Sequence, residues 1–318
     1  MKVLPILLLL ISSSVFAGNV YYVSNTGNDA ANGLTTGTAW LTIAKVNSFV
    51  FAANDTILFK RGDSFYGGII VKRANLNFGA YGNGAKPVIT GLSPITGWVN
   101  LGGNIWEAPT VKVKATNNLV LRNRVIQQVG RYPNADVTNK GYLTYTAATS
   151  TSITGPALSS VTNWSGAEVV IRFVRWDIIR AIVTSHSAGK VNFASIGQTP
   201  RVNYGYFFQR DPRTLDQDGE WWQDGSNNKL RMYFSNNDPG AYTIEAATVD
   251  TLFNSQFGAL SLTNISFYGS GKHGVRINGG TDIIVRNCDF NMSGSEALSV
   301  LSSSNVLVDA CTTDNSLG

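Results

Sequence analysis

Apolar and polar residues alternate in short runs through most of this chain, and Gly, Ser and Asn separate the runs. Alternation with a period of two, broken by turn-forming residues, predicts strands rather than helices. The pattern is most regular after Thr248. There "NISFYGSGKHGVRINGGTDIIVR" (264–286) is followed by "NCDFNMSGSEALSVLSSSNVLVD" (287–309), and a shift of 23 residues aligns the two. Asn264 falls on Asn287, Ile265 on Cys288, Phe267 on Phe290, Val275 on Leu298, Ile277 on Val300 and Ile284 on Leu307, and a third copy begins at Ala310. A period of this size points to a solenoid. The leucine pattern of leucine-rich repeats is missing. Each copy instead holds three alternating runs (Asn264–Phe267, Gly274–Ile277, Asp282–Val285), so it reads as one coil of a parallel β-helix. Stacked coils would set equivalent residues roughly 4.8 Å apart in ladders. Ile265, Cys288 and Cys311 would form one interior ladder. Asn264 above Asn287 would form an amide ladder at a tight turn, which Ala310 breaks.

Nearer the N-terminus the same reading predicts strands at Val20–Val23, Thr56–Phe59, Gly68–Val71, Leu76–Gly79 and Val88–Ile89, the first coils of the solenoid. Trp40, Ile43, Ala44 and Asn47 recur at helical spacing and predict an amphipathic helix. Such a helix would cover an open solenoid end, which otherwise exposes apolar side chains and unpaired strand edges. From Leu92 to Ala246 the periodicity disappears. "AEVVIRFVRWDIIRAIVTS" and "KLRMYFS" still read as strands, and "QDGSNNK" reads as a hairpin turn between "GEWW" and "KLRMYF". This span is expected to be a β-rich insertion, with coils resuming at residue 247.

The opening "MKVLPILLLLISSSVFA" has a basic start, an apolar run and small residues before Ala17, the pattern of a secretory signal peptide over residues 1–17. The run is too short to cross a bilayer as a helix. An exported product, secreted, periplasmic or surface-attached, is expected, with no membrane span once the signal is removed. Residues 18–91 then hold the cap and first coils, and 92–246 the insertion. Residues 247–318 hold further coils. The final "CTTDNSLG" stops inside the third copy, so Gly318 is expected to end a fragment, with further catalytic coils beyond it.

Charged residues make up only 14% of the chain, which suits a solenoid with polar, uncharged turns. The formal charge of +5 is compatible with acidic polysaccharides, but no basic stripe with interleaved aromatics speaks for nucleic acid. A monomer is expected. Two cysteines in an exported chain invite a disulfide. Cys288 and Cys311 stand one period apart on an interior ladder, which favours buried thiols instead. They are too few to make a metal site alone.

"YYVSNTGNDAANG" (21–33), "NDTILFKRGDSF" (54–65) and "FGAYGNGAKPVITG" (78–91) resemble the opening of exported proteins of the pectate-lyase-like right-handed β-helix superfamily. "GRYPN" (130–134) and "LDQDGEWWQD" (215–224) resemble segments of its glycan-degrading members, among them glycoside hydrolase families with fucosidases and xylanases. The resemblance implies an all-β, right-handed parallel β-helix. It implies a polysaccharide substrate along the outer face of the sheet that precedes the longer loops. By order that sheet holds Gly274–Ile277 and Ala297–Val300.

Val275 and Ile277 would point inward there, leaving Arg276 outward to bind a sugar carboxylate or sulfate, or simply to be solvated. His273 and Glu296 also stand one period apart, at the turn before this strand. If the turns superpose, the carboxylate would orient the imidazole and raise its pKa, as an acid/base pair requires; a structural hydrogen bond is the plainer role. Glycoside hydrolysis uses two carboxyl groups, about 5 to 5.5 Å apart for retention or about 6.5 to 9.5 Å for inversion. No acidic residue here has an acidic partner one period away, so no complete pair is visible, and Arg286 with Asp309 reads as a surface salt bridge. A polysaccharide lyase would use Lys272 or Arg276 as base or clamp, often with Ca²⁺ held by clustered carboxylates, and otherwise no cofactor is expected. Arg131, Glu220 and Trp222 could border a sugar cleft or merely pack the insertion, with Pro133 fixing a turn. His186 reads as a solvated loop residue. Hydrolase, lyase and non-catalytic glycan-binding or adhesin-like β-helix all remain open, because solenoids serve each.

Overall fold

The computed structural model describes residues 18–108, 118–159, 162–236 and 238–317. Residues 1–17, where a signal peptide is expected, and Gly318 lie outside the described residues. Three parallel sheets run along the coils. The first has six strands in the order Val20–Val23, Thr56–Lys60, Leu76–Tyr81, Leu260–Thr263, Thr281–Arg286 and Ser304–Asp309. The second has five, Ser64–Tyr66, Val88–Thr90, Ser266–Ser270, Asp289–Ser293 and Thr312–Ser316. The third has four, Ile69–Ile70, Thr251–Ser255, His273–Asn278 and Leu298–Leu301.

The register is the one the repeat demands, with Ser266–Tyr268 paired with Asp289–Asn291 and Val275 with Leu298. Alternation along each strand then fills the interior. Ile57, Phe78, Leu262 and Val285 line one wall, and Phe65, Ile89, Phe267 and Phe290 another, all buried. Phe267 and Phe290 stack with centroids 5.7 Å apart and planes 8° from parallel, an aromatic ladder one coil deep. Cys288 is fully buried as a free thiol, and burial pushes its pKa up to about 12. Cys311, also free, lies over it and is half-buried.

The amide ladder forms as the spacing implies. The Asn287 side chain donates to Oδ1 of Asn264 at 2.7 Å, and both residues hold the left-handed backbone (φ 51° and 60°) that Asn tolerates. Ala310 keeps the same φ of 51° without an amide to hold it. Arg286 and Asp309 pair at 3.0 Å on the open surface, where such a bond contributes little.

The N-terminal helix is Ile43–Ser48. Thr42 caps it, its hydroxyl accepting from Lys45 N, and Asp29 accepts in turn from the backbone and hydroxyl of Thr42. This cap starts the helix after Trp40, so Ile43 and Val46 face inward while Ala44 is exposed, a different face from the one the spacing suggested. Trp40 is buried instead as a ring stacked 4.9 Å from Tyr21. Asn47 donates to Gly68 O and accepts from Ile70 N, so its amide pairs with the edge strand Ile69–Ile70.

Among the described residues between 92 and 247 the strands pair antiparallel, with one isolated parallel bridge from Val129 to Trp221. The largest sheet centres on Glu168–Val174, Asp177–Ser187 and Gly205–Gln209 and encloses a core of Ile153, Val169, Ile171, Val191, Tyr206 and Phe208. The hairpin Trp221–Asp224 with Lys229–Tyr233 forms where the turn residues foretold it. On either side of this span the solenoid is continuous: Ile69–Ile70 pairs directly with Phe253–Asn254, and Val88–Thr90 with Ser266–Tyr268.

Candidate functional site

His273 opens its strand in the third sheet, and Glu296 lies on the turn one coil further on. The backbone holds the two turns in register: Gly274 N donates to Glu296 O at 3.0 Å, and Ser295 N to Lys272 O at 2.9 Å. Nε2 of His273 stands 3.6 Å from Oε2 of Glu296, a contact longer than a hydrogen bond. The imidazole is mostly covered (18% exposed) while the carboxylate is open to solvent (53%).

The expected rise in the His273 pKa does not occur. Burial of the ring lowers it below its ordinary value; Glu296 opposes this, but Arg276 and Lys272 add two further positive charges nearby. A neutral ring at neutral pH follows. Its Nδ1 is buried with no hydrogen-bond partner among the described residues. Arg276 lies half-buried beside Ser299 of the next coil, between the inward Val275 and Ile277. His273, Glu296, Arg276 and Lys272 therefore form one cluster: a neutral imidazole, an exposed carboxylate and two cations.

The antiparallel segment reaches the same turn. Asn118 donates to Gly294 O at 3.3 Å and accepts from Arg210 at 2.5 Å, and Arg210 pairs with Glu168 at 3.3 Å. Sequence spacing carries no signal for this bridge, since Asn118 and Gly294 are joined only by the fold.

Arg131 and Glu220 come together elsewhere, but not as lips of a cleft. Glu220 is 1% exposed and accepts from the backbone N–H groups of Arg131, Asp216 and Gln217. Desolvation outweighs these bonds and raises its pKa to about 7. The Arg131 guanidinium lies 3.7 Å from the centroid of Phe207 and donates to the carbonyls of Pro133, Lys140 and Gly141. Both residues thus spend their polar atoms on backbone and pack the segment. Trp222 carries the Arg231 guanidinium 5.1 Å from its ring centroid, and Arg231 with Lys229 clamps the buried Glu107. His186 is a strand residue rather than a solvated loop: Nδ1 accepts from Trp164 N at 3.1 Å and Nε2 lies 2.8 Å from Leu158 O. Among the described residues no group of three His, Cys, Asp or Glu side chains is gathered as a metal site. No helix among them is long and apolar enough to cross a membrane.

Residues 250–318 match the family described as right handed beta helix region. No curated protein sequence matches the chain significantly. Among solved structures, it is similar to a glycoside hydrolase at 13% identity and a TM-score of 0.59, over 86% of this chain and 66% of that one. It also resembles XylC, solved with xylose (14% identity, TM-score 0.41, 85% of this chain and 41% of that one). A further likeness is to the GH136 lacto-N-biosidase of Eubacterium ramulus (14%, 0.34, 93% and 34%). The chain thus spans less than two thirds of XylC and of the lacto-N-biosidase, and about two thirds of the first. At such identities the likeness speaks for fold alone. Three sheets of stacked parallel rungs, with residues 250–318 matching a right handed beta helix region, give this chain the fold of a right-handed parallel β-helix.

Proposed function

We propose that this is an exported carbohydrate-active protein that cleaves polysaccharide by glycosidic hydrolysis, with its working face on the sheet that carries His273–Asn278. The observation that carries the reading is the His273–Glu296 contact across adjacent coils, flanked by Arg276 and Lys272. Glu296, open to solvent, would donate or accept the proton at the glycosidic oxygen or an attacking water, and His273 would hold its orientation. Arg276 and Lys272 would bind sugar hydroxyls or acid groups along the strand. A second carboxylate is still required for a complete hydrolytic pair. In the same reading the helix Ile43–Ser48 caps the N-terminal end, residues 92–246 form an inserted subdomain, and the protein is a secreted monomer.

A second reading has its own support. A neutral, partly buried imidazole beside Arg276 suits proton abstraction next to a uronate carboxylate, the β-elimination of a lyase, for which Ca²⁺ is a common aid. One experiment separates them: the protein is screened against neutral and acidic glycans, and products are analysed for new reducing ends and for the unsaturated uronate chromophore. Hydrolysis lost in Glu296→Gln supports the first reading, and unsaturated products lost in His273→Ala support the second. Full activity in both variants removes this cluster from catalysis, and binding without product leaves a glycan-binding module.

A further inference from the structure

A cleft of about 280 Å³ lies on a different sheet, where the antiparallel segment leans against the coils. Its floor is the outer face of the strands Val88–Thr90 and Ser266–Ser270, with Ser64, Thr90, Ser266 and Tyr268 in it. Its wall comes from the antiparallel segment and supplies Arg124 and Glu245. Both wall residues are placed by backbone. Asn123 and Arg124 hold positive φ (51° and 65°) in a two-residue hairpin turn, which sets the Arg124 guanidinium 6.0 Å from the centroid of the Tyr268 ring. Glu245 lies on Ile244–Ala247, paired with the first strand of that hairpin. Behind them Leu92, Leu119, Leu121 and Ala247 pack together and against Tyr268, so the wall is fixed to the floor.

We propose that this cleft binds one sugar ring of a neutral polysaccharide, holding the chain on a face distinct from the one that carries His273 and Glu296. The contents are those that pyranose recognition needs. The phenol ring of Tyr268 offers an apolar face for sugar C–H groups, and Arg124 donates to hydroxyl oxygens. Glu245 accepts from hydroxyl groups, and Ser64, Thr90 and Ser266 do both. Among the described residues neither Arg124 nor Glu245 pairs with an opposite charge, so both are available to a ligand. Both charges are felt at the Tyr268 hydroxyl: burial raises its pKa, Arg124 lowers it and Glu245 raises it. The adjacent carboxylate disfavours a uronate here, because a second negative charge would sit beside Glu245 with only one cation to balance it. Tyr66 stands on the far side of Thr90 in the same ladder, about 9.6 Å from Tyr268 at two strand spacings, and extends the aromatic track.

This inference rests on the glycan reading above, and its test separates the two. Isothermal titration of the whole chain uses cellohexaose, xylohexaose, mannohexaose and tetragalacturonate as probes. At least one neutral hexaose is expected to bind. Tyr268→Ala and Arg124→Ala should each weaken it by roughly tenfold, as expected for loss of one aromatic or charged contact. Arg124 is exposed, so its variant folds even if Tyr268→Ala does not. The proposal is overturned if no neutral hexaose binds, if both variants bind like the parent, or if tetragalacturonate binds more tightly. Hydrolysis that depends on Glu296, together with binding indifferent to Tyr268 and Arg124, removes the cleft and keeps the proposed function. Binding that depends on Tyr268 and Arg124 without any cleavage does the reverse.

Discussion

Replacing Asn287 by Ala tests the coil-to-coil ladder directly. Two contributions are lost. The first is the 2.7 Å bond from the Asn287 amide to Asn264, worth about 1 kcal/mol net for a neutral pair. The second is conformational: at φ 51° Asn is tolerated, whereas Ala in the left-handed region costs about 1 kcal/mol more. The variant is therefore expected to lose about 2 kcal/mol. Asn287→Gly loses the bond but adopts positive φ freely, so it should lose only about 1 kcal/mol, with a small entropic addition from the unfolded chain. Urea unfolding of the parent and both variants, followed by far-ultraviolet circular dichroism with equal m-values, reads the difference. A Gly variant as unstable as the Ala variant, or an Ala variant as stable as the parent, would refute the ladder and the turn geometry together.

Phe290→Ala removes one ring of the stacked pair with Phe267 from a fully buried site, and a loss of about 3 to 5 kcal/mol is expected in the same assay; a loss under about 1 kcal/mol would mean that the coil interior is loosely packed. Glu220 has its pKa raised from an ordinary 4.5 to about 7, so the folded state holds its proton more tightly than the unfolded state. Its favourable contribution is present below 4.5 and lost as pH rises through about 7, and Glu220→Gln should flatten the fall in thermal midpoint across that window. His273 carries the opposite sign: its lowered pKa means that stability falls as pH drops below 6.5, a slope that His273→Gln should reduce. Cys288, with its thiol buried and its pKa pushed up to about 12, should resist a thiol reagent in the native protein while Cys311 reacts; equal rates for the two would contradict the interior ladder.

The coils were legible because their constraint is periodic. One residue type recurs wherever a ladder needs it, so Asn264 and Asn287, Phe267 and Phe290, and Ile265 and Cys288 announce contacts at a fixed offset. The hairpin at 221–233 was legible from local turn chemistry. The helix was legible in existence but not in face, because the cap at Thr42 begins it two residues after Trp40 and so rotates the inward set to Ile43 and Val46. The His273–Glu296 contact followed from the period, but the direction of the imidazole pKa did not. Burial and two cations decide it, and burial is not written in spacing. Contacts between the antiparallel segment and the coils, such as Asn118 with Gly294 or Arg124 with Tyr268, have no periodic partner and no motif. Of the two roles open to Arg131 and Glu220, the structure shows the plainer one, their polar atoms spent on backbone and packing, while Trp222 carries the Arg231 guanidinium.

The pairing of Ile69–Ile70 with Phe253–Asn254 has a consequence for biosynthesis. The early rungs emerge from the ribosome roughly 180 residues before the strand that completes their third wall, and at about 5–20 residues per second that is a delay of about 10–35 s. Throughout this interval an unfinished edge faces the cellular milieu while the intervening segment folds around its own core. Closing the ring late costs little in chain entropy, which grows only logarithmically with loop length, so the hazard is kinetic: strangers can pair with the waiting edge first. The side chain of Asn47, bonded to Gly68 O and Ile70 N, already covers the opposite edge of the same strand, so the edge that awaits Phe253–Asn254 is the one left open to such encounters.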